Sequence, residues 1–231
     1  MKTIGIIGGM SWESTSEYYR LLNEGVKERL GGLHSTKCIV YSVDFEEIEK
    51  YQSSGNWEQA GKVLADAAKS LEEAGADLII LATNTMHKVM HQIEQAVAIP
   101  TLHIADATAE VIKSRNLKKI GLLGTKYTME QDFYKERVAS HGIEIVVPEE
   151  RDRNVVNDII FQELVMGEIK ESSRIEYLEI VSRLVDQGVE GVILGCTEIG
   201  LLIKQKDVSL PLFDTSHVHV GKALDQALAE N

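Results

Sequence analysis

Residues 73–83 read EAGADLIILAT, and residues 186–196 read DQGVEGVILGC, which repeats the same pattern 113 positions later. Each copy has a glycine typical of a helix end, then an apolar run that stops at Thr83 in the first copy and at Cys196 in the second. A short run that is apolar at consecutive positions is typical of a parallel strand covered on both faces. The repeat therefore predicts two buried strands at equivalent places in two related halves of the chain.

Two further landmarks recur in the same order. TIGIIGG at 3–9 is matched by KIGLLGT at 119–125, and Ile99-Pro100 is matched by Leu210-Pro211. Chance similarity between strand–helix units is the alternative explanation, but three landmarks at nearly constant spacing favour a duplication.

We therefore predict an α/β fold of two similar lobes, each a parallel sheet flanked by helices, related by a pseudo-twofold axis. The lobes are expected at residues 1–105 and 106–215. A C-terminal helix, residues 216–231, is expected to pack back onto the first lobe.

Strands and helices are predicted to alternate along the whole chain. The predicted strands are 3–7, 38–42, 78–82, 101–103, 119–123, 144–147, 191–194 and 212–213. The predicted helices are 13–30, 57–73, 86–95, 106–114, 131–140, 154–166, 174–186 and 216–229.

Composition excludes several classes of partner. The 231 residues carry a net charge of −12, which disfavours nucleic acid and acidic membranes as partners. No run approaches the ~18 apolar residues of a membrane span, and the first residues do not resemble a secretory signal. With only Cys38 and Cys196 present, no disulfide framework is expected, so we predict a cytoplasmic protein with reduced thiols.

Cys196 is the most informative candidate because it lies between a buried strand and a predicted helix start. A thiol at a helix N-terminus is expected to have a lowered pKa and a reactive thiolate. The alternative is a small buried hydrophobic residue, the usual role of a free cysteine. The polar pair Thr197-Glu198 that follows favours a functional role, whereas Cys38 is predicted to be structural.

Other candidate groups give weaker signals. Thr83, Asn84 and Thr85 are candidates for binding, but a helix cap explains them equally well. His87 and His91 have a metal-like spacing without an acidic or cysteine ligand beside them, so we predict no metal. The glycines near the N-terminus lack a complete nucleotide-binding motif, so no nucleotide cofactor is predicted either.

Three segments carry a family resemblance. GGMSWEST at 8–15, TNTMH at 83–87 and GCTEI at 195–199 resemble motifs of the bacterial aspartate/glutamate racemases, closest to the L-aspartate/glutamate-specific branch with a Thr/Cys catalytic pair. The resemblance implies an active site in the cleft between two α/β lobes, a small amino-acid substrate and a homodimer. It also implies chemistry without pyridoxal phosphate or any other cofactor.

The resemblance implies a two-base mechanism in which Cys196 deprotonates the L-enantiomer and Thr83, or a water beside it, serves the opposite face. The common family has cysteine at both positions, so Thr83 predicts unequal catalysis in the two directions. Donors must also stabilise the carbanion and hold the substrate. The candidate substrate-binding residues are Met10, Gln52, Asn84, Thr85, Thr125, Thr197 and Glu198.

The side chain of the substrate stays open at this point. Archaeal aspartate racemases have an arginine and a lysine in the regions that correspond here to 42–46 and 163–167, and neither cation is found there. A neutral polar amino acid is therefore an alternative to aspartate or glutamate. The rival functions are an arylmalonate-type decarboxylase, a hydantoin-type racemase and a non-catalytic small-molecule binding protein.

Overall fold

The structure, a computed structural model, describes residues 1–229. The chain divides into two compact units. Unit 1 contains Met1–Ile104 and the C-terminal segment from His219 onward, and unit 2 contains Ala105–Val218. The chain therefore passes from one unit to the other twice.

Unit 1 is built on a parallel sheet of four strands in the order β2-β1-β3-β4. The strands are β1 Ile4–Gly8, β2 Cys38–Ser42, β3 Leu78–Leu81 and β4 Thr101–Leu102. The helices are α1 Trp12–Leu30, α2 Phe45–Ser53, α3 Trp57–Glu73, a 3-10 helix at Thr85–Val89, and α4 Met90–Ala96. Helix α5, Ile104–Ser114, begins at the end of this unit.

Unit 2 has a second parallel sheet, in the order β6-β5-β7-β8. Its strands are β5 Lys119–Gly124, β6 Glu144–Val146, β7 Gly191–Gly195 and β8 Leu212–Asp214. Its helices are α6 Lys126–Glu130, α7 Asp132–Ala139, α8 Glu150–Gln162, α9 Glu171–Asp186, α10 Ile199–Leu202 and the start of α11 Thr215–Leu228. Short 3-10 helices lie at Leu164–Met166 and Gln205–Asp207.

The predicted fold class, two similar parallel sheets flanked by helices, is confirmed. In chain order, the first strand of each unit lies between the second and the third, which is the same topology twice. Strands β1, β3 and β7 are buried at every residue, which explains why their sequences are apolar at consecutive positions. The pseudo-twofold axis stays a prediction.

Both faces of the unit 1 sheet are covered by apolar side chains. Ile7, Ile48 and Leu64 belong to the cluster on one face, beside α2 and α3. The other face packs against α1 and the last turns of α11, where Leu22 and Leu224 are buried. Burying each such side chain contributes about 1.5–3 kcal/mol, so these clusters hold the strand ends in place.

Several local predictions differ from the structure, and the short helices α6 and α10 are not among the predicted ones. Helix α2 is also missed, because its apolar residues Phe45, Ile48 and Tyr51 are few among charged neighbours. The helix predicted at 86–95 begins instead as the 3-10 helix Thr85–Val89 before α4. Helix α8 begins at Glu150, ahead of the predicted residue 154, with acidic residues in its first turn that favour a helix start.

His219 is a buried histidine in unit 1. Its Nδ1 lies 2.9 Å from the Tyr18 hydroxyl and its Nε2 lies 3.0 Å from the Leu102 carbonyl oxygen. A carbonyl oxygen only accepts, so Nε2 carries the proton and Nδ1 accepts from Tyr18. Burial lowers the pKa of His219 from its usual 6.5 to about 4.

This shift predicts a specific loss of stability in mild acid. Because the pKa of His219 is lower in the folded state, its contribution is complete above the unfolded pKa and is lost as the pH falls toward the folded pKa. From about pH 7 to about pH 5, wild type should lose about 2 kcal/mol more free energy of unfolding than His219→Gln. Urea unfolding measures this difference, and the exposed His91→Gln is the control. Equal losses in all three proteins would contradict the assignment.

Candidate active site

Polar residues lie at the carboxyl ends of the parallel strands, where ligands of such sheets bind. In unit 1, β3 leads into Thr83. In unit 2, β7 leads into Cys196. Each of these strands is the neighbour of the first strand of its unit, on the side away from the second strand. Thr83 and Cys196 therefore occupy equivalent positions in the two sheets.

The segment after β1 turns sharply. Gly9 has a φ of +94°, and a Cβ there would collide with the carbonyl oxygen of Val43. Thr15 stabilises the turn because its hydroxyl accepts from the Gly9 N–H at 2.8 Å and donates to the Ser11 carbonyl at 2.9 Å. Met10 is buried in the apolar cluster of unit 1. Backbone geometry thus requires glycine at Gly9 of the GGMSWEST segment.

The same segment fixes the end of β3. Ser11 caps α1 by accepting from the Ser14 N–H at 3.2 Å. The Ser14 hydroxyl then donates to the carbonyl oxygen of Ala82 at 3.0 Å. Since Ala82 directly precedes Thr83, this bond ties the start of α1 to the candidate catalytic position.

Thr83, Asn84 and Thr85 are all buried. The cap residue of the 3-10 helix that follows is Asn84, and its side chain makes no capping hydrogen bond. Thr83 precedes the cap residue. Capping of this helix therefore does not explain the side chain of Asn84.

Gln52 is buried on α2, with its amide nitrogen 2.9 Å from the sulfur of Met86. This contact joins α2 to the 3-10 helix that follows Thr83. The structure therefore places Gln52 beside the segment of the candidate site in unit 1, and not on the exposed surface.

In unit 2, the thiol of Cys196 points at a carboxylate. Its Sγ lies 3.0 Å from Oε2 of Glu198, and the thiol is the only possible donor of the two groups when Glu198 is ionised. Glu198 is buried, whereas Cys196 and Thr197 are half-buried. The sequence indicated Glu198 as a substrate-binding residue but gave no sign of this contact with Cys196.

The predicted low pKa of Cys196 is wrong. Burial, the negative charge of Glu198 and the hydrogen bond to that carboxylate all raise the pKa of the thiol well above its usual value. The backbone N–H of Glu198 acts in the opposite direction but does not prevail. The helix that follows, α10, has only four residues, so its dipole is too short to offset a carboxylate at hydrogen-bond distance.

Two further residues near Cys196 were not singled out from the sequence. Tyr177 on α9 is buried, and burial together with the charges of Cys196 and Glu163 raises its pKa. Asp214 ends β8, and its carboxylate adds to the effects that raise the pKa of Cys196. Polar groups of Ser216 and His217 hold that carboxylate.

Thr125 follows β5 and is buried. It caps α6, since its hydroxyl oxygen lies 3.4 Å from the Thr128 N–H, and it also lies 3.2 Å from the Thr128 hydroxyl. Thr125 therefore has the place in unit 2 that Ser11 has in unit 1. In both units, the helix after the first strand is capped by a hydroxyl that accepts from the backbone N–H three residues later.

The part of the chain that the structure describes shows no metal-binding cluster. Within residues 1–229, no three His, Cys, Asp or Glu side chains are grouped so that they could hold a metal ion. His87 is buried whereas His91 is exposed, so their spacing in sequence does not bring them to one site. Over the same residues, no helix has the length and apolar character needed to cross a membrane.

Comparison with known proteins identifies the family. A sequence model of the Asp/Glu/Hydantoin racemase family matches residues 7–223, and the chain belongs to that family. The predicted family is confirmed, and with it the prediction of a racemase-type enzyme, an isomerase.

Individual relatives match over nearly the whole chain. A solved structure from Yersinia pestis assigned to the Asp/Glu racemases is 55% identical, with a TM-score of 0.93 and coverage of 99% of this chain and 100% of that one. A solved aspartate racemase homologue from Pyrococcus horikoshii is 41% identical, with a TM-score of 0.89 and the same coverage. The broad specificity amino-acid racemase RacX of Bacillus subtilis is 24% identical over 230 residues, which is 92% of each chain.

The contact between Cys196 and Glu198 predicts how the thiol titrates. In a Cys38→Ser background, alkylation of Cys196 by iodoacetamide should rise only at a pH above that typical of a free cysteine, about 8.5. Glu198→Gln should lower the pKa of the thiol, because it removes the nearby negative charge but keeps the backbone N–H. The measurement is the alkylation rate as a function of pH. An unchanged or raised pKa in Glu198→Gln would contradict this account.

Proposed function

We propose that the protein is a cofactor-independent amino-acid racemase for L-aspartate, L-glutamate or a related polar amino acid. The observation that carries the proposal is the equivalent placement of Thr83 after β3 and Cys196 after β7, in two sheets of the same strand order. Racemisation removes the α-proton from one face of the substrate and returns a proton to the other, which requires two acid/base groups. The family to which the chain belongs supports this reaction class.

Cys196 is the group that takes the α-proton of the L-enantiomer in this proposal. Its thiol has a raised pKa, so it is protonated at neutral pH and must first lose that proton. A thiolate with a high pKa is also a stronger base, which suits the weakly acidic α-proton. The raised pKa therefore lowers the population of the Cys196 thiolate but makes that thiolate a stronger base.

Glu198 is the acceptor for that proton. With its Oε2 at 3.0 Å from Sγ, the carboxylate takes the thiol proton and leaves a thiolate and a neutral carboxyl group. The thiolate then removes the α-proton and becomes a thiol again. This step also replaces a negative charge at Glu198 by one on the carbanion, so total charge is conserved.

Thr83, or a water beside it, returns a proton to the opposite face. A hydroxyl is a weak acid, and in the reverse direction the alkoxide needed to deprotonate the D-enantiomer is costly to form. The proton lost from Thr83 is replaced from water. Glu198 releases its proton to water, which balances the proton that Thr83 takes up, and Cys196 is a thiol before and after the reaction. Each turnover therefore moves no net proton.

The remaining candidates hold the substrate. We assign the hydroxyl and amide groups of Asn84, Thr85, Thr125 and Thr197 to the α-carboxylate, where hydrogen bonds strengthen as negative charge develops. Met10 and Gln52 are buried in unit 1, and we assign them to the substrate-binding site because Gln52 contacts Met86 of the segment that follows Thr83. The similarity to Asp/Glu and aspartate racemase structures supports an acidic substrate, and the broad specificity relative supports a test of neutral ones.

The proposed reaction also bears on where the enzyme works and how it assembles. It needs a reduced Cys196, and a reducing compartment such as the cytoplasm maintains one. We further propose a homodimer that covers Trp12 and Tyr19 of α1 together with Val40 and Tyr41 of the edge strand β2, all of which are exposed. Light scattering gives the mass in solution, and a monomer at all concentrations would reject the dimer.

A decarboxylase is the second candidate, because a protonated Cys196 is the state in which a lone proton donor works. Chiral chromatography of L-aspartate, L-glutamate and neutral L-amino acids incubated with the protein separates the alternatives. We expect D-product from an acidic or polar substrate, with activity unchanged by a chelator or by hydroxylamine. Carbon dioxide released from an arylmalonate without D-amino acid would show a decarboxylase, and the absence of any turnover would favour a binding protein.

Unequal bases predict unequal kinetics. Thr83→Cys should raise kcat from the D-enantiomer by a larger factor than kcat from the L-enantiomer, because it replaces the weaker base. Enantiomers have equal free energy, so kcat/KM must be the same in both directions for every variant. Cys196→Ala should lose about 100-fold or more in both directions, whereas Cys38→Ala should resemble wild type. The two-base assignment fails if Cys196→Ala keeps most of its activity.

A further inference from the structure

The imidazole of His87 connects the carboxyl ends of β3 and β4 in unit 1. Its Nδ1 lies 2.8 Å from the carbonyl oxygen of Thr83, and its Nε2 accepts from the backbone N–H of Ile104 at 3.2 Å. Backbone pairing joins the two strands at Ile79 with Thr101 and at Ile80 with Leu102. Past those pairs, the side chain of His87 joins the residues that follow the two strands, Thr83 after β3 and Ile104 after β4.

These two contacts define the protonation of His87. A carbonyl oxygen only accepts a hydrogen bond, so Nδ1 must carry a proton. An amide N–H only donates, so Nε2 must have its lone pair available. His87 is therefore held as the neutral Nδ1–H tautomer, and both ring nitrogens are occupied by backbone groups.

We infer that His87 is a positioning residue for Thr83, and this inference rests on the proposed role of Thr83 in racemisation. The peptide group between Thr83 and Asn84 is planar, so a hydrogen bond that fixes its carbonyl fixes the orientation of the whole peptide plane. The N–H of Asn84, on the opposite side of that peptide, points away from His87. The histidine thus sets the direction of the backbone from which Thr83 and Asn84 project.

The ring of His87 is itself held rigidly. It packs against His103, with ring centroids 4.6 Å apart, and against His219 at 5.7 Å. His219 bonds to the Leu102 carbonyl at the end of β4 and to Tyr18 of α1. His87 and His219 are therefore in opposite tautomers, Nδ1–H in His87 and Nε2–H in His219, and their buried rings pack against each other.

Unit 2 connects its strand ends in a different way. The position equivalent to His87 is Gly200, at the same 113-residue offset as Thr83 and Cys196. There the Thr215 hydroxyl donates to the Leu194 carbonyl at 2.9 Å and joins the ends of β7 and β8. The histidine is thus specific to the unit that contains threonine in place of the catalytic cysteine.

The tautomer can be measured without any assay of activity. In protein labelled with ¹⁵N-histidine, NMR at neutral pH should show His87 with a protonated Nδ1 and an unprotonated Nε2, and His219 with the reverse. The His87 signals are identified by their loss in His87→Asn. A protonated Nε2 or a doubly protonated ring at His87 would overturn the inference, whether or not the protein racemises amino acids.

Two variants then test the positioning role. His87→Asn places an amide donor near Nδ1 and keeps the bond to Thr83, whereas His87→Gln places an oxygen near Nε2 and keeps only the bond to Ile104. Because small misplacement of a catalytic group costs up to ~100-fold, His87→Gln should lose about 10-fold or more in kcat with little change in KM. His87→Asn should stay within about 3-fold of wild type, as should the exposed control His91→Asn.

The outcomes separate the two proposals. Absence of racemisation in wild type would reject the proposed function but leave the tautomer measurement valid. Equal kcat in His87→Asn and His87→Gln, or losses that follow melting temperature and not the choice of variant, would reject the positioning role. A melting temperature is recorded for each variant to make that comparison.

Discussion

The pairing of β1 with β3 is the constraint on which the candidate site in unit 1 depends. The register from Ile4 with Leu78 to Ile7 with Leu81 determines where β3 ends and therefore the position of Thr83, two residues later. Unit 2 repeats this device with β5 and β7, up to Gly124 with Gly195. A Cβ at Gly195 would lie 2.9 Å from the Leu123 carbonyl, so close strand contact directly before Cys196 requires glycine.

Around each strand end, hydrogen bonds convert that register into fixed side-chain positions. In unit 1 they come from Ser14 and His87, which bind the carbonyl oxygens of Ala82 and Thr83. In unit 2 the decisive contact is electrostatic, since Glu198 raises the pKa of Cys196 and also stands ready to accept its proton. The two units therefore present different groups at topologically equivalent positions: a threonine whose backbone carbonyl is hydrogen-bonded, and a thiol paired with a carboxylate.

Much of the fold could be predicted from the sequence because burial on both faces leaves a clear apolar pattern in β1, β3, β5 and β7. Helix α2 could not, since its nine residues offer only Phe45, Ile48 and Tyr51 as apolar positions, too few to show a helical period. The positions of Thr83 and Cys196 at strand ends followed from the same pattern. Whether those residues act on a substrate remains a proposal.

The electrostatics of the site lay beyond sequence reasoning. A cysteine before a helix predicts a lowered pKa only if the helix is long and no carboxylate lies nearby. Here the helix is one turn, and the side chain of Glu198 turns back toward the thiol two residues before it. The role of His87 also depends on Ile104, which is 17 residues away in the chain and was not a candidate.

The most direct test of the central claim follows the α-proton of the L-substrate in deuterated water by NMR. The account predicts that Thr83→Ala still exchanges this proton for deuterium, because Cys196 can remove it and return a deuteron to the same face, but forms little D-enantiomer. It predicts that Cys196→Ala loses both exchange and inversion. Exchange at the wild-type rate in Cys196→Ala, or full inversion in Thr83→Ala without added proton donors, would contradict it.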